Sequence, residues 1–101
     1  MGKAKPLKIG SRHFARQKDA IEHFRTMLYR YPVGETVTGE DSEDLAALVE
    51  RHQERDSKVG SGIARFIIMR APEQSLCFGI VRTDGTQIDF SFIKCITGRW
   101  D

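Results

Sequence analysis

The chain has 101 residues, 40% apolar and 30% charged, with a formal net charge of +2. That suffices for one domain with its own core, and the composition excludes a collagen-like or disordered chain. No apolar run approaches the roughly 20 residues of a membrane span, and the start Met1-Gly2-Lys3-Ala4-Lys5-Pro6 lacks the apolar stretch of a signal peptide, so a cytoplasmic protein is expected.

The first third is basic. Residues 1–30 hold eight Lys/Arg against two Asp/Glu, residues 31–60 three against eight, and residues 61–101 five against four. A basic arm beside an acidic middle draws a polyanion to one end only. Residues 1–101 are expected to form a single domain, with residues 1–6 as a flexible basic arm; Lys3, Lys5 and Lys8 would also keep such a terminus soluble. A short strand near Leu7–Ile9 or Arg12–Phe14 is weakly signalled, because Gly10 interrupts the pattern.

Residues 18–31 read as the first helix. Ile21, Phe24, Met27, Leu28 and Tyr31 form one stripe, Asp19 is the expected cap with Glu22 three residues on, and Pro32 forbids continuation. A second helix is expected from Asp41 or Ser42 to Asp56. Glu40, Asp41, Glu43 and Asp44 crowd its first turn, where the helix dipole favours negative charge, so they read as dipole partners rather than metal or acid–base groups. Leu45, Leu48, Val49 and His52 share a face, with His52 as a packed or capping histidine, and Arg51 and Arg55 suit the helix end.

From residue 63 the period changes to two. Ile63–Arg70, Leu76–Arg82 and Gln87–Ile93 read as strands, with Pro72-Glu73-Gln74 as a connection. A two-residue Asp-Gly loop would set Ile80 opposite Asp89. A three-residue loop, Thr83-Asp84-Gly85, sets Ile80 opposite Ile88, Phe78 opposite Phe90 and Leu76 opposite Phe92. It places all six apolar side chains on one face, so the pattern selects it. Gly85 is then left-handed, and Gly85→Ala is expected to cost about 1 kcal/mol or more. Ala64, Phe66 and Ile68 are expected on the same core face; Arg65, Ile67, Met69, Cys77, Val81, Asp89, Ser91 and Ile93 would form the second face.

Few residues carry chemistry. Cys77 and Cys95 have no Cys-x-x-Cys spacing, His13, His23 and His52 are scattered, and no nucleophile–base pair emerges, so no metal, cofactor or catalytic activity is expected. A lysine neighbour, Lys94, tends to lower the pKa of the Cys95 thiol, but no base or resolving cysteine accompanies it. Lys58-Val59-Gly60-Ser61-Gly62 is the most suggestive loop, since Gly-rich backbone amides with a lysine can cradle phosphate. Its order, helix to loop to strand with Lys first, is the reverse of a nucleotide-binding loop and fits a tight connection. Phe78, Phe90 and Phe92 read as core rather than a base-stacking platform, which leaves Tyr29 and Trp100 as the aromatics without a core role.

Lys58-x-Gly60-x-Gly62-Ile63, Arg82-Thr83-Asp84-Gly85 and Asp89-Phe90-Ser91-Phe92-x-Lys94-Cys95, in that order, resemble the defective-chloroplasts-and-leaves (DCL-like) domain family, and the Asp19-Ala20-Ile21 helix and His52 fit as well. The resemblance spans nearly the whole chain. It departs at Ile93, where a polar or basic residue is expected, and at Phe92, where Tyr is common. It implies a small α+β domain of the bacterial stand-alone type, whose function is uncharacterised. Its plant relatives are associated with plastid ribosomal RNA maturation, and a related domain ends the largest subunit of a plant-specific RNA polymerase.

The expected fold is α+β, with two helices packed on one face of a three- to four-stranded antiparallel sheet. The expected function is non-catalytic RNA binding, as an accessory to ribosomal RNA maturation or transcription. Lys3, Lys5, Lys8, Arg12 and Arg16 would contact phosphates, Arg65, Asp89, Ser91 and Lys94 would supply hydrogen bonds from the second face, and Lys58 with the Gly60 and Gly62 amides would hold one phosphate at its edge. The alternative is a protein–protein interaction module using an exposed Ile67, Val81 and Ile93 patch.

Overall fold

The computed structural model describes residues 6–100. The chain begins with a two-stranded hairpin, β1 (Leu7–Ile9) and β2 (Arg12–Phe14), paired Leu7 to Phe14 and Ile9 to Arg12. Both weakly signalled strands therefore exist, and they pair with each other rather than joining the main sheet. Helix α1 (Gln17–Arg30) follows and buries Ala20, Phe24, Met27 and Leu28. Its cap differs from the sequence expectation. Arg16 occupies the cap position without a side-chain bond, and Asp19 lies within the first turn, where its carboxylate pairs with the Arg16 guanidinium at 3.2 Å.

After Pro32 the chain makes a two-residue strand, β3 (Thr36–Val37), then α2 (Gly39–Val49). Helix α2 starts earlier than expected and ends well before Asp56. The backbone amides of Arg51 and His52 bond back to the carbonyls of Leu48 and Val49, three residues earlier, which tightens the chain out of the α path. His52 then takes the Glu54 amide on Nδ1 at 2.9 Å, and a separate short helix, α3 (Arg55–Val59), begins. Arg51 and Arg55 thus lie outside α2.

Strands β4 (Ile63–Arg70) and β5 (Leu76–Arg82) have the expected bounds. Strand β6 (Gln87–Phe90) pairs with β5 in the register of the three-residue loop, Phe78 to Phe90 and Ile80 to Ile88. The Arg82 amide bonds the Thr86 carbonyl, and Gly85 has φ +91°, where a Cβ is penalised. The strand stops at Phe90, not Ile93. Ser91 caps a final helix, α4 (Phe92–Thr97), by accepting the Lys94 amide on its hydroxyl at 3.2 Å. Phe92 therefore does not pair with Leu76, whose partner is Arg70.

The main sheet has four antiparallel strands in the order β3-β4-β5-β6. The fold is α+β as expected, with four helices instead of two among the described residues. One core joins the sheet side chains Phe66, Ile68, Phe78, Ile80 and Phe90 to Phe24 and Met27 of α1, Leu45 and Leu48 of α2, and Phe92, Cys95 and Ile96 of α4. Ala64 does not join it: the register shifts between Ile63 and Arg65, and Ala64 is left exposed at the irregularity. Among the described residues, no helix is long and apolar enough to cross a membrane.

Candidate nucleic-acid interface

Two carboxylates of α2, Asp41 and Asp44, are turned inward on the basic first third. Asp44 is buried, and its Oδ2 accepts from Arg12 Nε of β2 at 2.7 Å and lies 3.0 Å from His23 Nε2 of α1. One turn earlier, Asp41 accepts from Arg30 and from the Tyr31 hydroxyl, the latter at 2.7 Å. Burial works against ionising Asp41, but these two donors and the Arg30 charge outweigh it and hold its carboxyl below the usual range. Asp41 and Asp44 thus serve as ties between layers as well as dipole partners, while Glu40 and Glu43 stay exposed.

These ties change what the N-terminal cations can do. Lys3 and Lys5, with all of the expected arm except Pro6, lie outside the described residues. Lys8 is exposed, whereas Arg12 is held by Asp44 and Arg16 by Asp19.

The Gly-rich loop is locked onto the hairpin turn. The Gly60 and Gly62 amides donate to the carbonyls of Asp56 and Val59, and the Gly62 carbonyl takes the Thr83 amide. Arg82 reaches back to the carbonyls of Ser57 and Lys58, and a Cβ on Gly60 would sit 2.8 Å from Arg82 Nε, so glycine admits the guanidinium. The Ser61 hydroxyl accepts from Thr83 Oγ1 and the Asp84 amide. Lys58 Nζ donates to the Asp89 carbonyl at 2.8 Å, an oxygen pointing away from β5 on the free edge of β6. Two amides expected to cradle phosphate are therefore committed to the fold. Among the described residues Lys58 and Arg82 donate only to neutral oxygens and form no ion pair, although the Asp84 carboxylate lies near Arg82 through the shared Thr86 hydroxyl.

The second sheet face carries Arg65, Met69, Cys77, Gly79 and Asp89. Met69 lies across Gly79, where a Cβ would collide with its sulfur. Ile67 and Val81 are only 7% and 6% exposed, and Ile93 sits on α4, so the three do not form an exposed patch. Arg65 and Lys94 are exposed and make no side-chain hydrogen bond or ion pair among the described residues. Ser91 is occupied as a cap.

Both thiols are shifted away from ionisation. Burial pushes Cys95 up to about 12 against the pull of Arg51 and Lys58, and burial with the Asp89 and Glu73 charges also raises Cys77. The Lys94 neighbour thus gives Cys95 no thiolate character. Sequence reasoning missed the role of Arg51, whose guanidinium caps the last turn of α4 by donating to the carbonyls of Cys95 and Ile96. His52 is buried with its ring 4.2 Å from that of Trp100, which gives Trp100 a packing role. Tyr29, 69% exposed, is the aromatic left free. Among the described residues, no group of three or more His, Cys, Asp or Glu side chains is placed to hold a metal ion.

Fold and sequence together define a class, a small α+β domain of the DCL-like kind. The chain belongs to the family described as "Protein of unknown function (DUF3223)", matched over residues 25–96. It is 33% identical to Protein EMBRYO DEFECTIVE 514 of Arabidopsis thaliana over 93% of this chain and 48% of that protein. It is 36% identical to Protein DCL, chloroplastic, of Solanum lycopersicum over 68% of this chain and 32% of that one. It is 28% identical to DNA-directed RNA polymerase IV subunit 1 of Arabidopsis thaliana over 76% of this chain, a stretch that makes up 5% of the subunit. The chain thus spans about half the length of the first relative and less of the others. The solution structure of an uncharacterized protein from Rhodospirillum rubrum, 39% identical, superposes with a TM-score of 0.84 over 94% of this chain and 91% of that one.

Proposed function

We propose that this chain is a non-catalytic, cytoplasmic RNA-binding accessory in ribosomal RNA maturation or transcription. The observation that carries the reading is a group of cations without ion pairs on and beside the β5–β6 hairpin. Arg12, Arg16, Arg30 and Arg55 are paired with carboxylates, while Lys58, Arg65, Arg82 and Lys94 form no ion pair among the described residues. Unpaired cations held by a rigid sheet and helix are the electrostatic footprint of a phosphate-binding surface. Kinship with a polymerase subunit and with chloroplast DCL proteins supports the RNA assignment.

Contacts from Lys94, Arg65 and Lys58 would position phosphates without reading bases, and the N-terminal lysines, of which Lys8 is exposed, would add attraction. The test pairs Arg65→Ala and Lys94→Ala with Lys3→Ala and Lys5→Ala in a binding assay with single-stranded and structured RNA near ~50 mM salt, where charge attraction is strong. The reading expects each pair to weaken binding with folding intact. Loss confined to the lysine pair means nonspecific attraction to a tail. Partners captured from lysate that resist RNase, with no RNA bound, overturn the reading in favour of a protein-binding module.

A further inference from the structure

The geometry points to a second, distinct contact site for this ligand class. A groove between the outer end of α1, the β4–β5 turn and the start of α4 takes one or two unstacked nucleotides of single-stranded RNA, with a base on the Tyr29 ring and phosphates on Arg25 and Arg70. The inference rests on the RNA-binding reading and uses none of the residues assigned to it above.

The groove encloses about 570 Å³, a size suited to a small ligand. Leu28, Leu76 and Phe92 give it apolar lining, Ile93 is 38% exposed in it, and no carboxylate lines it. Tyr29 and Arg25 also line a neighbouring depression on α1 with Thr26 and Arg30, so the two form the wall between the hollows. Four residues apart on one helix, they are adjacent on its surface. Nothing in the fold explains either. Tyr29 is the most exposed of the large hydrophobic side chains, and Arg25 makes no side-chain hydrogen bond or ion pair among the described residues.

Arg70 completes the site from the far side. Its guanidinium donates to the Gln74 carbonyl at 2.9 Å, and Gln74 has φ +75°, a left-handed conformation uncommon for a residue with a Cβ. The Gln74 amide bonds the Ala71 carbonyl, and the Ala71 amide bonds the Ser75 carbonyl, so the turn is closed with the strained residue inside. That carbonyl is neutral, so it orients the Arg70 charge without cancelling it.

An exposed aromatic ring with one unpaired guanidinium beside it on α1 and another lining the same groove from the β4–β5 turn matches a base with its neighbouring phosphates, because any base offers a face to stack and each phosphate an anion to pair. A peptide would find little to satisfy both arginines unless it were acidic. A second copy of this chain would bring its own guanidiniums to the same place.

The probe is a ten-nucleotide single-stranded RNA of mixed sequence. Affinity is measured for the wild type, Tyr29→Ala, Tyr29→Phe and Arg25→Ser, and the Tyr29 ring resonances are followed by NMR on titration. Tyr29 lies outside the core, so these variants fold. Tyr29→Ala is expected to weaken binding about tenfold or more, the scale of one lost base stack. Tyr29→Phe is expected to bind like wild type, Arg25→Ser to bind more weakly, and the ring resonances to shift. RNA bound equally well by Tyr29→Ala, with unmoved ring resonances, overturns the groove and leaves the RNA reading intact. A wild type that binds no RNA overturns both. Self-association in sedimentation that Tyr29→Ala abolishes makes the groove an interface between copies and overturns the proposal.

Discussion

Asp44 ties three elements together: Arg12 from β2 and His23 from α1 meet its carboxylate on α2. A buried carboxylate without such partners would be costly, and the partners here lie 32 and 21 residues away in sequence. That separation is why the acidic run could be recognised as a helix start while its partners could not. His52 shows the same limit and carries a pH prediction. Burial lowers its pKa, the Lys58 charge adds to the effect, and Glu54 opposes it. In the unfolded chain the ring takes a proton near ~6.5, but the folded state resists it. The stabilisation is therefore fully present above that value and is lost as pH falls through the depressed folded pKa. Urea midpoints measured from about pH 7.5 to 5 should fall for the wild type, and less for His52→Asn, whose side-chain oxygen can still accept the Glu54 amide. Equal declines in the two proteins would show that other groups carry the pH dependence.

Among the elements, β4, β5 and their hairpin register were legible because alternation over seven or eight residues has one solution that buries all the large side chains. The end of β6 was not, because Phe90, Ser91, Phe92 and Ile93 continue a plausible alternation into what is a helix. A competing signal was present. Ser91 is a favoured cap, Phe92, Cys95 and Ile96 lie at helical spacing, and Gly98 stands just past the end with φ +74°. Six residues make a weak helix on their own, so tertiary support decides, and Arg51 supplies it by taking the last carbonyls. Ser91→Ala should cost about 1 kcal/mol in denaturant unfolding, the usual value of a lost cap, and Ser91→Asp should restore most of it. If Ser91 acted as a strand residue, neither alanine nor aspartate would follow that order. Strand β3, two residues long, is held by its pairing with β4 and leaves no periodic trace.

At the scale of the whole molecule, net charge is a poor guide to where charge acts. The fold ties up Asp41 and Asp44 of the acidic middle with Arg30 and Arg12, and among the described residues Lys58, Arg65, Arg82 and Lys94 on the β5–β6 side form no ion pair. A polyanion approaching that side would meet the local excess rather than the overall +2. Salt dependence makes the distinction measurable. If Lys58, Arg65, Arg82 and Lys94 each neutralise one phosphate of a single strand, the logarithm of affinity should fall against the logarithm of salt with a slope of about −3, since each contact contributes about −0.7. Each engaged lysine of the N-terminal segment would steepen it by the same amount. Replacing both Arg65 and Lys94 by alanine should then make the slope shallower by about 1.4 while circular dichroism stays unchanged. A slope that ignores that pair but collapses with Lys3→Ala and Lys5→Ala would assign the attraction to the N-terminal segment. A slope near zero in the wild type would remove phosphate contacts from the account altogether.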